Sequence, residues 1–125
     1  MNNLSFKQLI KDQFTTLEAL GLLVFNFNSH KKMPTGIVSM VDYIVSTGWG
    51  TYWCEVKIDK DKYREEQWKT RLKLMENNEE HLTVTEKNYL HLVQYIMGKH
   101  VGGSTFQPEL KHYKHLNIDN KKHIH

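Results

Sequence analysis

The amino-acid sequence predicts an α/β fold, a central mixed sheet flanked by helices, in the order helix, three strands, helix, strand, helix. Two observations predict it. Apolar residues recur at helical spacing in three separate stretches. Between them lie short apolar and aromatic runs, bounded by Gly, Pro and polar residues, that read as strands.

The first helix is expected over Phe6 to Leu20, where Phe6, Ile10, Phe14 and Leu17 form one stripe. Ser5, with Gln8 three places on, has the pattern of a capping box, and Gly21 is the stop. Leu22 to Phe27 reads as a strand, and Asn28 to Gly36, polar with Pro and Gly, as a loop. Ile37 to Ser46 is β-rich, Gly48-Trp49-Gly50 a turn, and Thr51 to Ile58 the antiparallel partner. A second helix is expected from about Asp61 to Glu76, with Trp68, Leu72 and Met75 on one face. Leu82 to Val84 is a short strand. Thr85 then caps a third helix that buries Tyr89, Val93 and Ile96, with Leu92 beside them, and Gly98 ends it. From Lys99 the periodicity fails. Residues 1–98 are therefore read as one domain, and 99–125, with Gly102-Gly103-Ser104 as a hinge, as a basic C-terminal tail or arm.

The chain has 125 residues, the size of one domain. Its 39% hydrophobic and 25% charged residues argue against wholesale disorder. A net charge of +3 with His neutral permits a polyanionic partner without requiring one. The single cysteine, Cys54, excludes an internal disulfide and reads as a small core residue. There is no membrane-length apolar run and no basic-then-apolar leader, so no membrane partner and a cytoplasmic location are expected.

Within Tyr52-Trp53-Cys54-Glu55-Val56-Lys57, alternation puts Trp53, Glu55 and Lys57 on one face of a strand with strongly apolar flanks. Burying such charges without partners costs several kcal/mol, in rough terms, so the pair asks for a reason. A hairpin between 37–46 and 51–58 brings Asp42 near the level of Glu55, at a strand spacing of about 5 Å. Two carboxylates at that separation suit one hard cation, Mg²⁺ or Mn²⁺, that polarises a phosphate and lowers the pKa of a water. Lys57 would orient that water or stabilise developing negative charge.

Asp42, a gap of twelve residues, and Glu55-Val56-Lys57 resemble the PD-(D/E)XK nuclease motif in its E-x-K form. Arg64-Glu65-Glu66-Gln67-Trp68, with the glutamine ten residues after the lysine, resembles the helix start of the VRR-Nuc branch (virus-type replication-repair nucleases). The likeness spans roughly residues 5 to 97. It implies a PD-(D/E)XK nuclease-like sheet and a metal-dependent DNA endonuclease. Asp42, Glu55 and the Val56 carbonyl would be metal ligands, Lys57 would position the water, and Gln67 would support the site. Stand-alone viral members of the branch act as homodimers on branched DNA such as four-way junctions, which implies DNA as partner, a homodimer and, for a viral protein, the host cytoplasm. The chain departs from the pattern at Val41, where proline is usual, at Ser39, where glycine is usual, and at Gln8, where many members carry a glutamate. Gln8 is the candidate for first-helix support, and its missing charge supports an alternative: a non-cleaving module of nuclease fold that binds nucleic acid or a protein.

Lys31 and Lys32, beside His30, and Lys60, Lys62 and Arg64 are the candidate DNA contacts, as backbone-positioning charges. Lys69, Arg71 and Lys73 belong to the same basic set, with a solvated surface as the plainer reading. Trp49, Trp53 and Trp68 read as packing residues, Trp49 being placed to meet DNA or a subunit. His112 and His115, three apart and without Cys partners, are a poor zinc pattern.

Overall fold

The structure is a computed structural model that describes residues 3–27, 41–58, 62–98 and Gln107. It is mixed α/β: α1 (Asn3–Ala19), β1 (Leu23–Asn26), β2 (Tyr43–Ser46), β3 (Thr51–Val56), α2 (Glu65–Glu76), β4 (Glu80–Val84) and α3 (Tyr89–Ile96). The order of elements is the one expected. The four strands form one sheet in the order β1-β2-β3-β4. β1, β2 and β3 run antiparallel, and β4 joins β3 in parallel after the α2 crossover.

α1 and α3 cover one face of this sheet. Phe6, Ile10, Phe14 and Leu17 of α1 are fully buried against Tyr43, Val45 and Cys54 and against Leu92, Val93 and Ile96 of α3. The Phe14 and Tyr43 rings stack with centroids 4.2 Å apart, fixing α1 over β2. α2 lies over β4 on the opposite face, where the side chains of Glu55, His81 and Thr83 meet it.

Each helix ends on a left-handed residue. Gly21 (φ +99°) donates to Glu18 and Leu22 donates to Leu17, a Schellman pair that turns the chain into β1. Asn78 (φ 61°) and Glu79 repeat that arrangement at the end of α2. The hairpin between β2 and β3 closes on Thr47, whose hydroxyl accepts from the amides of Trp49 and Gly50.

Several local expectations need correction. α1 begins at Asn3, so Ser5 lies inside it and cannot cap it. α2 begins at Glu65, not near Asp61, and Met75 is half exposed while Arg71 takes a buried position. The residue before α3 is Asn88, not Thr85; its Oδ1 accepts from the Thr85 amide. β2 is four residues long, and positions 37–40 of the expected β-run lie outside the described residues. So do the loop at 28–36 and, Gln107 apart, the segment from 99 onward. Gln107 accepts from the Thr83 amide at 2.6 Å, on β4. No helix among the described residues is long and apolar enough to cross a membrane.

Candidate active site

Asp42 occupies a bend just before β2. In a regular strand, a residue's N–H and C=O point to the same neighbour. Asp42 instead sends its N–H to the Cys54 carbonyl (3.0 Å) and receives the Phe27 amide on its own carbonyl (2.9 Å). That bend turns its side chain along the end of β3, where Oδ2 accepts the Val56 amide at 2.7 Å. Its carboxylate also shares a hydrogen bond with the carboxyl of Glu55. The two acids are therefore neighbours.

Glu55 is 5% exposed, and burial, reinforced by the adjacent Asp42 charge, pushes its carboxyl up to about 8. Lys57 pulls the other way from 3.9 Å and only partly offsets this. Of two carboxyls crowded together away from water, one is held toward its neutral form.

Gln67 ties the acid to the lysine. Its Nε2 donates to Glu55 Oε1 (2.9 Å), while its Oε1 accepts from Lys57 Nζ (2.8 Å) and from the Arg64 amide (3.0 Å). The amide orientation is forced: reversed, it would set NH₂ against ammonium and carbonyl against carboxylate. The Arg64 contact places Gln67 at the third position of α2, where a side chain folds back on the helix start. Lys57 Nζ also donates to the Lys62 carbonyl at 3.4 Å and stands 5.1 Å from the Tyr63 ring centroid.

Tyr63 was not anticipated. It is 1% exposed, its hydroxyl bonds Thr83 of β4, and its ring meets Trp68 edge-on with centroids 5.5 Å apart. The signal was present as an aromatic just outside the helix and another at its fourth position, a hydrophobic staple. Arg71, expected on a solvated surface, is buried and donates to both Nδ1 (2.9 Å) and the carbonyl oxygen (2.8 Å) of His81. Burial, then the adjacent guanidinium, lowers His81 to about 3, so it is neutral with its proton on Nε2.

Of the residues singled out in the sequence, Asp42, Glu55, Val56, Lys57 and Gln67 come together. Gln8 does not: it is exposed on α1 and donates to Asp12 at 2.9 Å. Lys62 and Arg64 are exposed beside the start of α2, close to Lys57. Lys31, Lys32, Lys60, His112 and His115 lie outside the described residues. Cys54 is fully buried, and burial raises its thiol, as suits a core residue. Trp49 is largely exposed, though its Nε1 donates to the Ile96 carbonyl (3.0 Å).

Asp42 and Glu55 are the residues that could hold a hard divalent cation. Asp42 and Glu55 supply carboxylate oxygens, and the Val56 carbonyl leaves β3 on the edge from which its amide reaches Asp42. Among the described residues no three His, Cys, Asp or Glu side chains could hold a metal together. Waters and a substrate phosphate would have to complete the shell, a pattern common for Mg²⁺. Comparison with protein-family models, curated proteins and solved structures gave no match.

Proposed function

We propose that this protein is a divalent-metal-dependent deoxyribonuclease that hydrolyses phosphodiester bonds, built on a PD-(D/E)XK-like sheet similar to that of the VRR-Nuc branch. One observation carries the reading: the carboxyl of Glu55 on β3 and that of Asp42, just before β2, are neighbours, and an ammonium is held beside them by a glutamine bridging acid and base. A structural ion pair would be expected to match charges. Here two acids crowd together, and burial with mutual repulsion raises Glu55 to about 8.

Asp42, Glu55 and the Val56 carbonyl would hold Mg²⁺ or Mn²⁺, which supplies Lewis acidity toward the phosphate. Lys57, oriented by Gln67 and by the Lys62 carbonyl, donates toward the attacking water and the charge that builds on the phosphate. Gln67 keeps Lys57 from collapsing onto Glu55 as a closed ion pair; their charged atoms stay 3.9 Å apart. Lys62 and Arg64 stand where a phosphate backbone would approach. Branched DNA as substrate and a homodimer are carried by the resemblance alone.

The test is incubation with linear and four-way DNA, with Mg²⁺, Mn²⁺ or chelator. Cleavage that needs metal and is abolished by Glu55→Ala and by Lys57→Ala supports the reading. A second reading, a non-cleaving module of the same fold, is favoured by the position of Gln8, which faces Asp12 and offers the site nothing. Tight DNA binding without cleavage in either metal would establish it.

A further inference from the structure

Among the described residues, α2 covers the face that carries Glu55 over β4. No other described helix packs on the β1–β2 side of that face, and that side is aromatic. Phe25 pairs with Ile44, Ile44 with Trp53, and Trp53 with His81, a row running across all four strands. Phe25 is 45% exposed, Leu23 is 56% exposed, and Ile44, Trp53 and Phe27 are half-buried. Phe25 and Phe27 lie two residues apart with centroids 6.4 Å apart and ring planes within 13°. Trp53 is held by its Nε1, which donates to Glu79 at 3.1 Å.

The platform runs directly into the acid pair. The Phe27 amide bonds the Asp42 carbonyl, and Glu55 follows Trp53 on the same strand face. The chain that leaves at Phe27 and re-enters at Val41 carries His30, Lys31 and Lys32 and no Asp or Glu between 28 and 40. Near-parallel rings that continue into the proposed cation site, with Lys62 and Arg64 exposed near Lys57, ask for flat, electron-rich groups on an anionic backbone.

We propose that Phe25, Phe27 and Trp53 form a stacking platform for unpaired nucleobases, so that the nucleic acid engaged at the Asp42–Glu55 site is single-stranded or locally unpaired. The proposal rests on the nuclease reading for what happens at the carboxylates, but not for binding. Base-on-aromatic stacking tolerates any sequence, since every base has a π-face, so little sequence preference is expected.

Binding of a fluorescein-labelled oligothymidylate and of a labelled hairpin duplex is followed by anisotropy with the full chain in chelator, where no metal-dependent cleavage can occur. The single strand is expected to bind more tightly. Phe25→Leu, which keeps an apolar side chain but no ring, is expected to weaken single-strand binding about tenfold, and Phe25→Tyr to restore it. Phe25 is exposed, so both variants should melt with the parent; Phe27→Leu gives an independent check. Equal affinity for duplex, or unchanged single-strand binding by Phe25→Leu, overturns the platform. So does a concentration-dependent dimer that Phe25→Leu dissociates, since a second copy would then cover this face. If ring-dependent binding is found with no cleavage in any metal, the platform stands and hydrolysis fails. If intact duplex is cleaved and Phe25→Leu makes no difference, hydrolysis stands and the platform fails.

Discussion

Gln67 Nε2 donates to Glu55 Oε1 across 2.9 Å, joining the helix that crosses the sheet to the strand that carries the acid. Because the same amide accepts from Lys57 and from the start of its own helix, one side chain sets the acid, the base and the helix entry together.

Gln67→Leu removes all three bonds and leaves a buried carboxyl and a nearly buried ammonium without their bridge. A loss of about 1–3 kcal/mol in stability is expected from stranding such groups, measured by urea denaturation. Gln67→Glu can still accept from Lys57 but sets a third acid against Glu55; stability is expected to fall further as pH rises. A Leu variant as stable as the parent would remove Gln67 from any bridging role.

Glu55 stands at about 8 against 4.5 for the free group, so its folded-state pKa is raised. The sign follows: the native state favours the neutral carboxyl, stability from this group is complete below the unfolded value, and it is lost as pH rises through about 8. Metal-free protein is therefore expected to lose stability as pH rises across that window, with Glu55→Gln flattening the slope. Thermal melts in chelator at several pH values measure it. A slope of opposite sign in the parent would contradict a raised Glu55.

If the proposed site holds a metal, the ion should reverse that trend, because a cation would compete with the proton on Glu55. Mn²⁺ is expected to raise the melting temperature more above the Glu55 midpoint than below it. At free metal about a hundredfold over Kd, the gain is about 2.7 kcal/mol. Asp42→Asn and Glu55→Gln should each abolish the shift. Equal shifts in the parent and both variants would assign the metal to some other part of the chain.

Tyr63 contributes through its hydroxyl, on Thr83, and its ring, against Trp68 and beneath Lys57. Tyr63→Phe keeps the ring and should cost about 1 kcal/mol. Tyr63→Ala opens a cavity and should cost about 3–5 kcal/mol. If cleavage is detected, the Phe variant should retain it, since the ring that faces Lys57 is intact. Denaturation curves and initial rates read the two effects separately.

The element order was legible because each helix carries its own apolar stripe: Phe6, Ile10, Phe14 and Leu17 are as buried as their spacing requires. The shared face of Trp53, Glu55 and Lys57 was legible for a similar reason, since strand alternation is a property of the backbone. Local burial on α2 was not. Met75 and Arg71 exchanged their expected places because the His81 imidazole and carbonyl satisfy the guanidinium, and α2's own sequence does not reveal that partner on β4. Gln8, read as a cap or a metal-site support, is neither, because α1 starts two residues before Ser5 and its exposed side carries Gln8 to Asp12.

By itself the sequence determined which segments become helix or strand and which acids and lysine share a strand region, since those depend on periodicity along the chain. Only the tertiary structure decided that Asp42 bends out of the ladder to lie beside Glu55, that Gln67 bridges Glu55 to Lys57, and that Tyr63 lies under the ammonium. Those contacts join residues far apart in the chain through one fixed register and one helix crossing. Their energies depend on burial, which no short window of residues encodes.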